Sequence, residues 1–298
     1  MKVVASGASG QIGSALIPAL TAAGHDVVKL VRKVPGAGGA HWDPDAGVID
    51  PGVLAGADAV VHLGGVNVSG GRWTARRKAR ILDSRVRSTA LLARTMAAPD
   101  RKPVVFVCAS GIHYYGDRGD TVVDEATGPG RGFLAEVCRR WEEATRPASA
   151  AGIRVVNLRL GPVFSPSGGP LEKMLRPVRL GVGGVVGKGR QYIPWIDVDD
   201  AIGAVAHLLI TDSVSGPVNI VSPNPVTNLE WTRTAGKVLG RPTRARVPSF
   251  ALRLVLGQMA EELVLASIRA RPRRLLDSGY RFRYPTVELS LRHLLGRV

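Results

Sequence analysis

The chain is poor in cysteine, in aromatic residues and in negative charge. Its 298 residues include two cysteines, Cys108 and Cys138, both in apolar or helical surroundings. So few thiols exclude a disulfide scaffold and a cysteine-built zinc site, and they fit a reducing cytoplasm. No bound metal is expected. Aromatic residues make up 5% of the chain, and none interleaves with the basic stretches as a base-stacking surface would need. Long hydrophobic runs are also missing. None approaches the roughly 18 to 20 residues that cross a bilayer, so no membrane partner is expected. The opening Met1–Gly7 runs straight into strand and turn sequence, so no signal peptide is expected.

Acidic residues number 24 against 40 lysines and arginines, for a formal net charge of +16. The basic residues are mostly arginine and are scattered, with denser regions at Arg72–Arg87 and Arg269–Arg297. A solvated basic surface accounts for this better than a nucleic-acid footprint, so nucleic acid is not an expected partner. Hydrophobic residues are 45% and charged residues 21%, which excludes a disordered protein. The length allows one large α/β core with a smaller appended region. No internal repeat is present.

The first part of the chain alternates apolar runs with helical patterns. Strands are predicted at Lys2–Ser6, Val27–Val31, Ala59–Leu63, Val104–Cys108 and Ile153–Leu160. Helices are predicted at Gln11–Ala23, Trp73–Ala98 and Phe133–Ala151. Such alternation implies a doubly wound α/β fold, a parallel sheet covered on both faces. Residues 1–160 are assigned to this core, with a helix at Val198–Ile210 and a strand at Pro217–Val221 returning to it, about residues 198–221. Residues 161–298 are assigned mainly to a small C-terminal, substrate-side region. There, 162–169 reads as a turn-rich loop, Thr227–Glu230 as a capping box opening a helix to about Leu239, Ser249–Ser267 as an apolar helix, core or homodimer interface, and Arg273–Asp277 as a short helix.

Gly7-Ala8-Ser9-Gly10-Gln11-Ile12-Gly13 lies between the first strand and the first helix. In that context Gly7 permits the tight turn, Gly10 lets the backbone approach a pyrophosphate, and Gly13 lets the helix pack on the sheet. The helix start then offers free N–H groups to the phosphates. An NAD site usually has an acid at the end of the second strand. Here the sequence is Val31-Arg32-Lys33, and two cations suit the 2′-phosphate of NADP(H). Leu63-Gly64-Gly65 would let the loop after the third core strand pass close to the cofactor.

Together with Ser110…Tyr115-Gly116, Arg159-Leu160-Gly161-Pro162-Val163 and Trp195–Asp200, this turn resembles the extended short-chain dehydrogenase/reductases. Arg72-Trp73, Ser84-Arg85, Tyr114-Tyr115-Gly116, Phe133–Glu136, Arg179–Gly184, Leu256–Ala260 and Gly279–Pro285 resemble more closely that family's atypical epimerase branch (SDR39U-type), including its C-terminal segment. The resemblance covers nearly the whole chain and implies a Rossmann fold. It implies that Ser9, Gly10, Gln11 and Ile12 bind pyrophosphate, Arg32 the 2′-phosphate, and Leu63-Gly64 the middle of the cofactor. Arg85 would face the cofactor or form a helix-surface ion pair. Ala109 and Gly161, at strand ends, complete the expected cofactor set.

Typical members carry Tyr-x-x-x-Lys on the helix after the serine strand. The tyrosine passes a proton and the lysine lowers its pKa and holds the ribose. Here Phe133 falls near the tyrosine position and Val137 near the lysine, and neither moves a proton. The replacement candidates are Ser110, whose hydroxyl could bind a carbonyl oxygen, and Tyr114 as proton donor, with Tyr115 packed in the core. Tyr192 is a weaker candidate. His113 reads as an exposed loop residue, and Lys188-Gly189-Arg190 as a solvated loop. The expected function is an NADP(H)-dependent oxidoreductase or epimerase-like enzyme. It would transfer hydride on a small carbonyl, an activated alkene or a nucleotide-sugar-like substrate. The alternative is a protein that binds or senses NADP(H) without turnover.

Overall fold

The computed structural model describes residues 1–33, 38–166 and 168–297. Residue 167, inside the loop expected at 162–169, lies outside the described residues. The chain divides into two compact units. The first comprises Met1–Ser110, Val137–Leu158 and Ile202–Val218; the second comprises Gly111–Glu136, Arg159–Ala201 and Asn219–Val298. Segment 111–136 therefore belongs with the later part of the chain, whereas a single boundary at 160 places it with the earlier part.

An eight-stranded sheet organises the first unit. Its strands are β1 (Lys2–Ser6), β2 (Asp26–Val31), β3 (Gly39–Asp43), β4 (Val48–Ile49), β5 (Ala59–His62), β6 (Val105–Gly111), β7 (Arg154–Leu160) and β8 (Gly216–Ile220). The order is β8-β7-β6-β5-β1-β2-β3-β4. β1 pairs in parallel with β2 and β5, β2 with β3, and β5 with β6; β3 and β4 are antiparallel. Val3, Val4, Val60, Val61, Phe106 and Val107 are fully buried. Their continuous apolar runs are what a parallel sheet covered on both faces requires. The strand order reverses between β1 and β5, the place where doubly wound sheets bind ligands at the carboxyl ends of their strands.

Helix α1 (Gly13–Ala22) buries Leu16 and Leu20. Helix α2 (Ala75–Ala97) is capped by Thr74, whose hydroxyl accepts from the Arg77 amide, and buries Ile81, Arg85, Ser88, Thr89, Leu92 and Met96. That three-and-four spacing is one helix face. The helix expected at Phe133–Ala151 is two helices, α3 (Phe133–Glu143) and Arg146–Ala150. Pro147 lacks the N–H that would bond back to Glu143, so the first helix cannot run through it.

The second unit is held by short ladders. Gly184–Val186 pairs in parallel with Ala245–Val247, Ile196–Asp197 with Val163–Phe164, and Arg269–Ala270 with Val122–Val123. The capping box at Thr227 and Glu230 opens helix Asn228–Leu239. The apolar segment from Ser249 is not one helix. Gly257, at φ +58°, ends helix Ser249–Leu256, and a short turn at Gln258–Ala260 and a π-turn at Glu261–Leu265 follow. Strands β3 and β4 and helices Gly169–Arg179 and Val287–Leu294 carried no sequence signal strong enough to be anticipated.

Candidate active site

Gly7 follows β1 with φ +78°, and a Cβ there would sit 2.7 Å from the Leu63 carbonyl carbon. A Cβ on Gly13 would sit 2.3 Å from the Gly7 oxygen. Both positions therefore exclude any larger residue. The Gly10 amide closes the turn on the Gly7 carbonyl at 3.0 Å. Ser9 and Gly10 are exposed, while Gln11 and Ile12 are half-buried. Ile12 is the N-cap of helix α1 and makes no side-chain cap, and no acid stands in the first turn. Its first amides, Ile12 and Gly13, have no acceptor among the described residues. An uncapped helix start beside a glycine turn is a fitting cradle for a diphosphate.

Val31 ends β2 half-buried, and Arg32 and Lys33 follow it exposed. No side-chain partner engages either cation among the described residues. The Leu63–Val66 loop is held from below. The Arg85 guanidinium donates to the carbonyls of Val66 and Ile81, both at 3.0 Å, and the Ser84 hydroxyl accepts from the Val66 amide. Arg85 is buried and lies 4.8 Å over the Trp141 ring; burial lowers its pKa to about 10. It is not the surface ion pair that helix patterning allowed. A Cβ on Gly65 would meet its Cζ at 3.0 Å, so Gly65 lets the loop lie flat on this cation.

His62, at the end of β5, is a site residue that no sequence motif marks. Its imidazole is fully buried, with Nδ1 at 2.5 Å from the Ser6 hydroxyl and Nε2 at 2.9 Å from that of Ser88. Burial, then the Arg85 charge, lowers its pKa to about 3. The neutral ring ties β1, β5 and α2 together directly beneath Gly64, whose Cβ would touch it at 3.0 Å. A histidine closing an otherwise apolar buried strand was the available signal.

Ala109 and Ser110 are buried at the end of β6. The Ser110 hydroxyl donates to Glu142 Oε1 at 2.8 Å. Its proton is thus directed at a carboxylate on α3, and only its lone pairs remain to engage a substrate. Val137, near the missing lysine's position, is buried.

In the second unit, Tyr115 is the packed member of the tyrosine pair. It is fully buried, donates to Asn219 Oδ1 at 2.8 Å and accepts from Arg159 at 2.9 Å. Tyr114 is half-buried, and its hydroxyl has no partner among the described residues. The Arg159 guanidinium lies 3.5 Å over its ring. Gly161 is demanded by packing, since a Cβ would fall 1.8 Å from the Pro194 carbonyl oxygen. Tyr192 lies under Arg269 at 4.9 Å. Lys188 and Arg190 are exposed.

His113 is not an exposed loop residue. It stands on a 3-10 turn, Ile112–Tyr115, and lines a cavity of about 180 Å³ with Gly116, Asp117, Arg131, Glu261, Glu262 and Ala266. Burial lowers its pKa to about 4, against an opposing pull from Glu262. Glu262 in turn caps α3, accepting from the amides of Phe133 and Leu134 at 3.0 and 2.7 Å. A carboxylate from the C-terminal segment therefore fixes the helix start where a catalytic tyrosine would stand.

A doubly wound sheet, a three-glycine turn at its switch point and a serine-strand site define a Rossmann protein of the short-chain dehydrogenase/reductase type. The chain belongs to the NAD dependent epimerase/dehydratase family, which it matches over residues 3–221, and residues 247–294 match a domain of unknown function, DUF1731. It is 42% identical over 296 residues to an epimerase family protein of Mycobacterium tuberculosis, MT2273, covering 99% of this chain and 98% of that one. The crystal structure of human epimerase family protein SDR39U1 with NADPH superposes with a TM-score of 0.91 at 34% identity, covering all of both chains. A nucleoside-diphosphate sugar epimerase from Corynebacterium glutamicum gives 0.83 at 36% identity, covering 99% of this chain and 58% of that one.

Proposed function

We propose that the chain binds NADP(H) and catalyses hydride transfer on a small carbonyl, activated alkene or nucleotide-sugar-like substrate. The observation that carries this is the uncapped start of α1 beside the Gly7–Gly13 turn, with Arg32 and Lys33 exposed at the end of β2 and without a side-chain partner among the described residues. The NADPH bound by human SDR39U1 supports the same reading. The amides at Ile12 and Gly13 would hold the diphosphate, and Arg32 with Lys33 the 2′-phosphate. Arg85 acts indirectly, by keeping the Leu63–Val66 loop in place. When bound, the nicotinamide supplies hydride chemistry at C4.

Proton handling falls to this chain's own residues. Tyr114 gives or takes the substrate proton, and the guanidinium of Arg159 over its ring favours negative charge there as the proton leaves. Ser110, its own proton committed to Glu142, accepts from a substrate hydroxyl and orients it. Substrate-dependent change in absorbance at 340 nm tests turnover. Tyr114→Phe is expected to lower kcat by about 10² or more while leaving NADPH affinity unchanged; unchanged turnover would remove Tyr114 from the reaction. Phe133 and Val137 in place of the usual pair favour the second reading, a cofactor-binding sensor. Tight NADPH binding with no turnover over broad carbonyl and nucleotide-sugar panels would select it. The two buried cysteines, neither of them in a disulfide, suit a cytoplasmic setting.

A further inference from the structure

The second unit carries a basic basin, and exposed apolar side chains lie in the chain segments on either side of the ladder that lines it. A cavity of about 630 Å³ is lined by helix Asn228–Leu239, the turn after it and strand Ala245–Val247. Arg233, Arg241, Arg244 and Arg246 all line it, all are exposed, and none has a side-chain partner among the described residues. Lys237 also borders the basin but is paired with Glu288 at 3.1 Å. No acidic side chain is part of the lining. Four like charges held around one concavity repel each other unless an anion lies among them.

Apolar residues stand out at both ends of the same ladder. Gly184–Val186 and Ala245–Val247 run parallel, so the residues leading into each strand share one end. Val182 and Arg244 therefore lie just ahead of the same end of the ladder, and Leu180 and Val182 are 70% and 63% exposed. At the other end, helix Ser249–Leu256 buries none of its residues, with Phe250 64% and Leu254 73% exposed. Phe250 and Leu254, four apart, share one helix face. Among the surfaces that could cover this face, a second copy would bring the same unpaired arginines against it. A nucleic acid would leave the protruding apolar side chains in water. An anionic bilayer satisfies both features, with phosphates for the guanidiniums and an acyl boundary for the apolar side chains.

We propose that this face docks on an anionic lipid surface, with headgroup phosphates in the arginine basin and Leu180, Val182, Phe250 and Leu254 in the interface. Surface docking needs no spanning helix, and no described helix is long and apolar enough to be one. It revises the expectation, drawn from the absence of such spans, that a membrane is no partner. It stands apart from the cofactor reading and uses none of its residues.

The test is co-sedimentation of the full chain with vesicles of phosphatidylcholine alone and of phosphatidylcholine with phosphatidylglycerol. Binding is expected to the anionic vesicles only, and to weaken as salt is raised. The pair R241E/R244E is expected to lower vesicle affinity by about tenfold or more, and R241Q/R244Q by less. F250S/L254S is expected to lower it as well, with melting by circular dichroism and NADPH titration unchanged for every variant. The proposal is overturned by an absence of binding at low salt, or by binding that F250S/L254S does not weaken. Capture of inorganic pyrophosphate without vesicle binding, or a dimer that F250S/L254S dissociates in light scattering, overturns it too.

Discussion

Arg32 and His62 show how far single residues could be read. Arg32 could be singled out as a candidate because a cation in place of an acid at the end of β2 has a direct chemical meaning. Its replacement, Arg32→Ala, is expected to weaken NADPH binding by about ten- to a hundredfold, the worth of charge-assisted hydrogen bonds, and to leave NADH binding unchanged; calorimetric titration of both coenzymes checks this. His62 was not legible, because its two serine partners come from residues 6 and 88 and only folding brings them together. Its pKa is lowered in the folded state to about 3 from the ordinary 6.5. The unfolded chain therefore binds the proton first, so His62 stabilises the fold fully above pH 6.5 and progressively less as pH falls towards 3. His113 acts in the same direction down to about pH 4, whereas Asp197, raised to about 6 by burial, opposes both between its ordinary 3.8 and 6. Comparing denaturant unfolding of the wild type and His62→Gln across pH 3 to 7 isolates His62. The wild type is expected to lose several kcal/mol more on acidification, and parallel curves would contradict the assignment.

At the scale of elements, the glycine turn was readable in full, and its three glycines differ in kind. Gly13→Ala places a Cβ 2.3 Å from the Gly7 oxygen, against 3.2 Å for the same change at Gly10. Gly13→Ala is expected to destabilise the fold by about 1–3 kcal/mol and to abolish NADPH binding. Gly10→Ala is expected to leave the melting temperature close to wild type and to weaken only the cofactor; thermal melts with and without NADPH separate the two. The start of α3 was less readable. The missing tyrosine and lysine were plain in the sequence, but the carboxylate that caps the helix instead comes from 129 positions away. Glu262→Ala, which leaves two amides without their acceptor, is expected to cost about 1–2 kcal/mol, and Glu262→Gln less because one oxygen remains. Equal stability of all three chains in urea would show that the cap carries no weight. Helix Ser249–Leu256 was placed in sequence but its length was not, since an apolar composition continues past Gly257 and only the backbone at that residue shows the break.

At the scale of the molecule, the sheet apart from β3 and β4 was legible because buried parallel strands must be continuous apolar runs and each lies next to a turn or helix with its own signal. The second unit was legible only in fragments. It is assembled from segments 111–136, 159–201 and 219–298 and held by ladders two or three residues long, too short to impose a period on the sequence. For that reason the glycine turn and the end of β2 could be singled out in the sequence as candidates, while the cavity at His113 and the Tyr114–Arg159 stack could not. Everything proposed for catalysis depends on the first unit holding a 2′-phosphorylated dinucleotide. Isothermal titration of the purified full chain with NADPH and with NADH measures that directly. NADPH is expected to bind at least about tenfold more tightly than NADH, as one charge-assisted phosphate contact supplies; no heat with either coenzyme, or tighter binding of NADH, would contradict it.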